Sequence, residues 1–280
     1  MRNLRIGHSP DADDAYMFYA ITHGLVDLGG PEPAGHEEVL EDIQSLNERA
    51  LRGELEMTAI SAAVYPQVAD KYRILTCGAS MGLKYGPIIV TNGPMDLADL
   101  EGKRVAMPGP NTTAYMLSRI FLPPVEAVQL PFDQVMEPVK SGELAAAVVI
   151  HEGQLTYVDA GLTKILDLGE LWHEKTGLPL PLGLDCVRRD LGEEWQVSLG
   201  KALQHSIAAA FSNNAPAVDY ALKFGRGIDA ERGEKFAKMY VNELTVDMGE
   251  DGEQALNELF RRAHNAGLID AVPPVDIVWL

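Results

Sequence analysis

The sequence predicts an α/β fold in two lobes with mostly parallel sheets. Short β-rich runs alternate with segments whose apolar residues recur at helical spacing, a pattern typical of sheets covered by helices. Two β-rich runs, near 85–91 and 180–187, bracket a central α/β unit, and no low-complexity linker divides the chain. We therefore expect two chain crossings between a first lobe, residues 1–89 plus 184–280, and a second lobe, residues 90–183.

The first part of the chain predicts strands that are each followed by a helix. Leu40, Ile43 and Leu46 recur at helical spacing, which predicts a helix from Val39 to Ala50. The other predicted elements are a strand at 4–7, a helix at 16–21, a strand at 57–60, a helix from 61 to 68, a strand at 72–76 and a β-rich run at 84–91.

The middle of the chain repeats this alternation, and the last third is helical. The middle predicts a helical turn at 97–102, a strand at 103–107, a helix at 112–119, a strand at 127–130, a helix at 132–141, and strands at 145–150, 165–168 and 182–187. The last third predicts helices at about 193–212, 215–224, 230–242 and 251–266. Pro273 and Pro274 predict a tail that extends over the surface.

Composition limits the partners of this protein. Hydrophobic residues make up 46% of the 280 residues and charged residues 23%, which excludes a disordered chain. The 23 Lys and Arg against 41 Asp and Glu give a net charge of −18, so nucleic acid and anionic membrane would be repelled. A small anionic substrate remains possible, because a pocket can be locally positive on a negative body.

Nothing in the sequence indicates export or membrane insertion. The basic N-terminus has no apolar run behind it, and no stretch reaches 18 uninterrupted apolar residues. Cys77 and Cys186 fit neither a disulfide framework nor a zinc spacing. We therefore expect a cytoplasmic protein, monomeric or homodimeric, with two reduced thiols.

Three strand-to-helix turns are candidate binding positions, and we expect them to meet in the cleft between the lobes. Asn111, Thr112 and Thr113 follow a Pro/Gly loop and begin a helix, where hydroxyls and free backbone N–H groups suit a carboxylate or phosphate. Simple N-capping by Asn111 or Thr112 is an equal alternative, and both can hold. Ser9 and Ser61 lie at the other two turns.

Two other motifs have weaker functional interpretations. The segment S-P-D-A-D-D at 9–14 brings three carboxylates together, but it lacks a calcium-loop pattern, and acidic residues are common in a first helical turn. The segment G-A-S-M-G at 78–82 resembles a nucleophile elbow, yet a β-rich run follows it instead of a helix. We expect neither a metal site nor a serine nucleophile.

His151 is the candidate general base. It directly follows the apolar run at 145–150, and the carboxyl end of such a strand is where α/β sheets present ligands. A neutral imidazole can accept a proton without a metal. The alternative is a structural histidine bonded to a backbone group. The sequence has neither a G-x-G-x-x-G pattern nor a P-loop, so we expect no cofactor.

Around His151 the sequence resembles a known family. The strings I-H-E-G at 150–153, T-G-L-P-L-P-L-G at 176–183 and P-G-P-N-T-T-A-Y at 108–115 are similar to the MqnD family of 1,4-dihydroxy-6-naphthoate synthases, in the futalosine route to menaquinone. The resemblance covers essentially the whole chain. It implies a type II periplasmic-binding-protein-like fold and a cytoplasmic, cofactor-free enzyme acting on cyclic dehypoxanthinylfutalosine.

The resemblance also implies roles for particular residues. The family's proton acceptor falls on His151, and its paired substrate-binding threonines fall on Thr112 and Thr113. Its contact strip at the start of the earlier helix falls on Ala59, Ile60 and Ser61. Two departures stand out: S-P-D-A-D-D at 9–14 replaces S-P-C-P-N-D, and Ala59 replaces a lysine. A small-carboxylate binding protein and a chorismate dehydratase share this fold and are the alternative functions.

Overall fold

The computed structural model describes residues 2–151, 153–212, 214–224 and 241–280, and it contains two β-sheets flanked by helices. This architecture confirms the predicted two-lobed α/β fold. The strands are β1 (Arg2–His8), β2 (Ala34–Leu40), β3 (Met57–Ser61), β4 (Tyr72–Leu75), β5 (Ser80–Gly82), β6 (Ile88–Thr91), β7 (Arg104–Met107), β8 (Glu126–Gln129), β9 (Ala146–Val149), β10 (Thr163–Asp167), β11 (Leu180–Arg188) and β12 (Ile277–Val278).

The larger sheet has the order β12-β4-β11-β3-β1-β2, with β5 paired to β11, and the smaller sheet has the order β10-β6-β9-β7-β8. β1 runs parallel to β2 and β3, and β7 runs parallel to β8 and β9. The prediction of mostly parallel sheets is confirmed in strand direction: among the described strands of each sheet one is reversed, β11 in the larger sheet and β6 in the smaller, and it runs antiparallel to its neighbours. These two strands lie where the chain passes between the sheets, so they enter each sheet in the reverse direction.

The helices cover both sheets. They are α1 (Ala12–Thr22), α2 (Ile43–Arg52), α3 (Tyr65–Val68), α4 (Thr113–Phe121), α5 (Glu137–Lys140), α6 (Gly153–Thr156), α7 (Leu168–Thr176), α8 (Glu193–Ser212), α9 (Asn214–Ala221), α10 (Glu243–Val246) and α11 (Gly249–Asn265). α1 is buried along most of its length, and its apolar residues join those of α8 in one core cluster. No helix among the described residues is long and apolar enough to cross a bilayer.

The lobes correspond to the two sheets. The strands of the smaller sheet all lie between residues 88 and 167, and those of the larger sheet lie on either side of that range. The predicted lobe boundaries, after residues 89 and 183, both fall inside strands, β6 and β11. The division into two domains stays a prediction.

Several predicted elements differ from the structure. Residues 34–40 form a strand beside β1, and the helix that was expected from Val39 starts at Ile43, because the Asp42 side chain accepts hydrogen bonds from Gln44 N and Ser45 N. The predicted helix at 132–141 is a 3₁₀ turn followed by the short α5. The expected surface tail ends in β12, which pairs with β4 and is buried. The predicted helix over 230–242 lies largely outside the described residues.

Candidate active site

A cavity of about 750 Å³, part of it open to solvent, lies between the two sheets. One wall consists of residues that follow β1, end β3 and occupy β5 and β11 of the larger sheet. The opposite wall consists of the start of α4 and the residues that follow β9. The cavity therefore lies at the carboxyl ends of parallel strands, where α/β folds bind ligands.

The structure brings most of the predicted site residues to this cavity. It is lined by Ser9, Ala59, Ile60, Ser61, Thr112, Thr113 and His151. Asn111 is not among the described residues that line it; its carbonyl instead accepts a hydrogen bond from the side chain of Asn47 at 3.2 Å. The roles of these residues in binding and catalysis stay predictions.

The two threonines at the start of α4 have structural duties of their own. Thr112 Oγ1 caps the helix, accepting from Tyr115 N at 3.2 Å and donating to Gly109 O at 2.7 Å. Thr113 Oγ1 donates to Leu182 O at 2.7 Å and accepts from Ala63 N at 3.2 Å, so it links the two lobes. The capping alternative is thus confirmed for Thr112.

The first turn of α4 still offers an anion site. Thr113 and Ala114 line the cavity, and within the described part of the chain their backbone N–H groups have no protein acceptor. A helix N-terminus carries partial positive charge on such groups. The wall of the smaller lobe can therefore bind a carboxylate through backbone donors.

Asn47 holds the two walls together. This fully buried side chain accepts from Ser61 N at 2.9 Å and donates to Ser61 Oγ at 3.1 Å and to Asn111 O. It thereby fixes the end of β3 against the loop before α4. This role could not be predicted from the helical pattern around Asn47, which indicates only a core-facing stripe.

Aspartate side chains accept the hydrogen bonds that hold Ser9 in the loop after β1. The backbone N–H of Ser9 donates to Asp14 Oδ2 at 2.7 Å, and the Ser9 hydroxyl donates to the Asp11 carboxylate. α1 begins four residues earlier than predicted, so Asp13 and Asp14 lie in its first turn, as the helix-dipole interpretation proposed. The described residues contain no group of three or more His, Cys, Asp or Glu side chains arranged to hold a metal ion.

Four buried carboxyl groups line the cavity: Asp11, Asp13, Asp14 and Asp185. Burial raises the pKa of Asp13 well above its usual value, and the neighbouring carboxyls of Asp14 and Asp11 raise it further. Burial and the charge of Asp185 likewise raise the pKa of Asp14, and burial and the charge of Asp13 raise that of Asp185. The raised pKa values of Asp13, Asp14 and Asp185 favour their protonated forms, which can donate as well as accept hydrogen bonds.

Asp185 was missed by the sequence reasoning. It lies in β11 opposite Ala59, is 1% exposed, and its Oδ1 atom has no hydrogen-bond partner among the described residues. Gly78 packs against it: a Cβ at Gly78 would lie 2.1 Å from Asp185 Oδ2. The available signal was an acidic residue inside an otherwise apolar strand, which is rarely buried without a partner or a function.

His151 is far in sequence from the aspartates at the start of α1, but it lies next to Asp11 in space. Its Nδ1 is 3.4 Å from Asp11 Oδ2, and its ring centroid is 4.6 Å from that of Phe132. The imidazole is 19% exposed, and the φ angle of His151 is +53°, which is uncommon for a residue with a side chain. Contact with a carboxylate at a cavity wall favours a functional histidine over one bonded to the backbone.

The cavity has no positive side chain among the described residues that line it. The expected anionic substrate would therefore be bound by backbone N–H groups and hydroxyls. Ala59, which stands in place of a lysine in the resembled family, lines this wall in β3.

Comparison with solved structures defines the class of fold. The alkanesulfonate-binding protein SsuA from Xanthomonas axonopodis pv. citri superposes with a TM-score of 0.69 at 14% identity, over 99% of this chain and 96% of that one. A crystal structure of a protein from Archaeoglobus fulgidus superposes with a TM-score of 0.90 at 47% identity, over 95% and 98%. The chain thus has a periplasmic-binding-protein-like fold, here with buried acidic side chains and a partly exposed imidazole in the cleft.

The sequence comparisons then define the family. Residues 4–265 match the profile of a family described as menaquinone biosynthesis. A 1,4-dihydroxy-6-naphthoate synthase from Thermus thermophilus is 40% identical over 273 residues, 98% of each chain. The synthase of the same name from Streptomyces coelicolor is 36% identical over 277 residues, 97% of this chain and 96% of that one. This protein belongs to the menaquinone biosynthesis family, and the resemblance found in the sequence is confirmed.

Proposed function

We propose that this protein is a 1,4-dihydroxy-6-naphthoate synthase, a cofactor-free carbon–carbon lyase with His151 as its general base. It would convert cyclic dehypoxanthinylfutalosine to 1,4-dihydroxy-6-naphthoate and release a three-carbon fragment, dihydroxyacetone. The observation that carries the proposal is the position of His151, beside a carboxylate and on the same cavity wall as the α4 N-terminus. The full-length relatives at 40% and 36% identity are named for this activity.

The aromatic carboxylate of the substrate fits the wall of the smaller lobe. The N–H groups of Thr113 and Ala114 are aligned by the helix before any ligand binds, so they need no reorganisation to hold an anion. The Ser9 and Ser61 hydroxyls on the opposite wall suit the sugar-derived end of the substrate. Because burial raises the pKa of Asp14 and of Asp185, these carboxyls would repel the anion less than ordinary carboxylates do.

His151 would act in its neutral form. Its imidazole accepts a proton from the substrate, and the electron pair left behind opens the sugar-derived ring. Cleavage of the carbon–carbon bond at the spiro centre then releases the three-carbon fragment, and aromatisation of the new ring drives the reaction forward. Closure of the lobes would exclude water and align the base with the substrate.

The sequence and the two free thiols support a cytoplasmic location for the reaction. Cys77 and Cys186 are both buried and free, as is usual in a reducing compartment. We expect the reaction in the cytoplasm, catalysed by a monomer or homodimer that needs neither nucleic acid nor membrane.

The direct test is turnover of cyclic dehypoxanthinylfutalosine, with His151→Ala beside the parent. We expect dihydroxynaphthoate, identified by mass, from the parent and a rate about 10²–10⁴-fold lower from the variant, the usual contribution of a general base. His205→Ala, an exposed position on α8, is the matched control and should keep the parental rate. Parental turnover by His151→Ala would rule out its role as the base.

The same experiment separates the alternatives. A dehydratase-like paralogue would leave this substrate unchanged and convert chorismate, with a product 18 mass units lighter than chorismate, the mass of a water molecule. A pure binding protein would convert neither and would bind a small carboxylate tightly. Either result would mean that the fold was retained while the chemistry differs.

A further inference from the structure

We propose that Asp11 is a positioning residue for His151: its carboxylate holds the imidazole proton on Nδ1 and leaves Nε2 as the basic nitrogen. The consequence for catalysis rests on the proposed function, in which His151 is the base. The position of the proton does not, because it can be measured in the free protein. In neutral imidazole one nitrogen carries the proton, and its hydrogen-bond partner decides which one.

The Asp11 carboxylate contacts the His151 imidazole. Asp11 Oδ2 is 3.4 Å from His151 Nδ1, the Asp11 side chain is 5% exposed, and the imidazole is 19% exposed. The distance is longer than a strong hydrogen bond, as is common for catalytic contacts before the substrate binds. Closure of a cleft whose two walls carry these residues would shorten it.

The Asp11 side chain does not cap the helix that it precedes. It occupies the N-cap position of α1, where an aspartate ordinarily accepts hydrogen bonds from the first turn, yet its side chain makes no capping bond. The carboxylate turns instead to the Ser9 hydroxyl and to His151. The Asp11 carboxylate therefore contacts His151 across the cavity and does not cap α1, although capping would stabilise that helix.

The backbone and the ring neighbours of His151 restrict the position of its imidazole. Its φ of +53° lies in the left-handed region, which is strained for a residue with a side chain. Such backbone strain persists only where surrounding contacts impose it. The ring lies between the Phe132 ring, with the centroids 4.6 Å apart, and the Asp11 carboxylate. A ring fixed on two sides has one nitrogen committed to the carboxylate.

The surrounding charges leave Asp11 in this role. The other acidic groups lining the cavity near the imidazole are Asp13, Asp14 and Asp185. Burial raises the pKa of all three, and neighbouring carboxyls raise it further. Among these four acids, Asp11 is the one whose carboxylate contacts an imidazole nitrogen in the described part of the chain, at 3.4 Å, so it is the group placed to accept a hydrogen bond from Nδ1.

The test is the imidazole ¹⁵N spectrum of the free protein, at a pH where the histidines are neutral, with the His151 signals assigned by their loss in His151→Ala. We expect the parent to carry its proton on Nδ1. In Asp11→Asn the amide can donate to Nδ1, so the proton should move to Nε2. Asp96→Asn, an exposed aspartate that also precedes a helical turn without capping it, should leave the His151 signals unchanged.

Turnover gives the second readout. Asp11→Asn should lower kcat about 10²–10⁴-fold, by analogy with the wrong tautomer in a serine protease triad, and change KM by less than about threefold. Asp11→Ala, which offers no donor, should keep more activity than Asp11→Asn. If Asp11→Asn fails to fold, the parental spectrum still decides. A proton on Nε2 in the parent, or the parental tautomer in Asp11→Asn, overturns the proposal. Absence of turnover in the parent instead counts against the proposed function.

Discussion

Two sets of buried acids lie toward opposite ends of the same strands of the larger sheet, and their partners differ. Glu56, just before β3, accepts two hydrogen bonds from the Arg5 guanidinium and lies 3.0 Å from Arg188 Nη1. Asp185 and Asp14, at the cavity, have each other as neighbours. Glu56 is 7% exposed, Asp14 8% and Asp185 1%, so all three are buried.

The pKa shifts of the two sets are opposite. Burial alone would raise the pKa of Glu56, but the hydrogen bonds from Arg5 and the charge of Arg188 outweigh it and lower that pKa. At Asp185 burial acts together with a like charge, and the pKa rises. Burial by itself therefore does not distinguish a structural acid from a site acid. An acid that is buried beside other acids at a cavity has its charged form disfavoured both by burial and by its neighbours, and such an acid is a candidate functional residue.

The largest effect should come from crowding the acidic site. In Gly78→Ala the new Cβ would lie 2.1 Å from Asp185 Oδ2, and the residue has φ +83°. Backbone strain and overpacking together should lower the free energy of unfolding by about 3 kcal/mol. Denaturant unfolding of the variant measures the loss.

Gly93→Ala is the matched control for this prediction. Gly93 also has a positive φ, +96°, but a Cβ there meets no atom within 4 Å, so only the backbone strain remains. The difference between the two variants is the contribution of packing against Asp185. Equal losses would show that the carboxyl moves aside freely and that the site is not tightly packed.

Breaking the paired acid should have a smaller effect. Glu56→Gln removes the charge partner of the Arg5 guanidinium and leaves Arg188 paired with Asp190, and because Arg5 is 39% and Arg188 19% exposed, water replaces part of the lost interaction. We expect a loss of about 2 kcal/mol at neutral pH. Because the folded pKa of Glu56 is lowered, its stabilisation is present above the unfolded pKa and disappears as pH falls through the folded pKa. The gap between parent and variant in urea unfolding should therefore close in acid.

Glu258→Gln is the control for the loss of a charge. Glu258 on α11 also accepts from two arginines, Arg261 and Arg262, but it lies on a more exposed helix face. An exposed ion pair is worth less than about 1 kcal/mol. A loss as large as that of Glu56→Gln would mean that burial does not matter for these pairs.

Much of the fold could be predicted because helices and strands differ in the period of their apolar residues. α8 was predicted with its observed bounds, 193–212, since its pattern is long and regular. β2 was missed because its alternating burial is weak and its strand character comes from pairing with β1, a contact distant in sequence. The antiparallel direction of β11 is equally a tertiary property.

The candidate site was predictable where a residue type coincides with a turn. Ser61, Thr112 and His151 were identified in this way, and all three line the cavity. Asn47 and Asp185 were not, because each belongs to a regular element and acts through contacts to distant residues. Asp185 belongs to no motif, and the one indication of its role is an acidic side chain at a position where the strand pattern requires an apolar one.

The smallest effect, and the one that best sharpens the comparison, should be a gain in stability. Asp185→Asn keeps the shape of the side chain but removes a carboxyl whose charged form is disfavoured by burial and by the charge of Asp13, so the free energy of unfolding at neutral pH should rise by about 1 kcal/mol. The folded pKa of Asp185 is raised, so the stability of the parent is greatest below the unfolded pKa and falls as pH rises through the folded pKa. The advantage of the variant should therefore grow with pH.

Thermal unfolding of parent, Asp185→Asn and Glu56→Gln across one pH series checks this sign. The two variants should diverge from the parent in opposite directions as the pH rises, one gaining stability and the other losing it. A gap between Asp185→Asn and the parent that shrinks with pH would mean that Asp185 is a stabilised carboxylate like Glu56. In that case the cavity would hold a fixed negative charge, and the binding of an anion by the α4 N-terminus would need a different explanation.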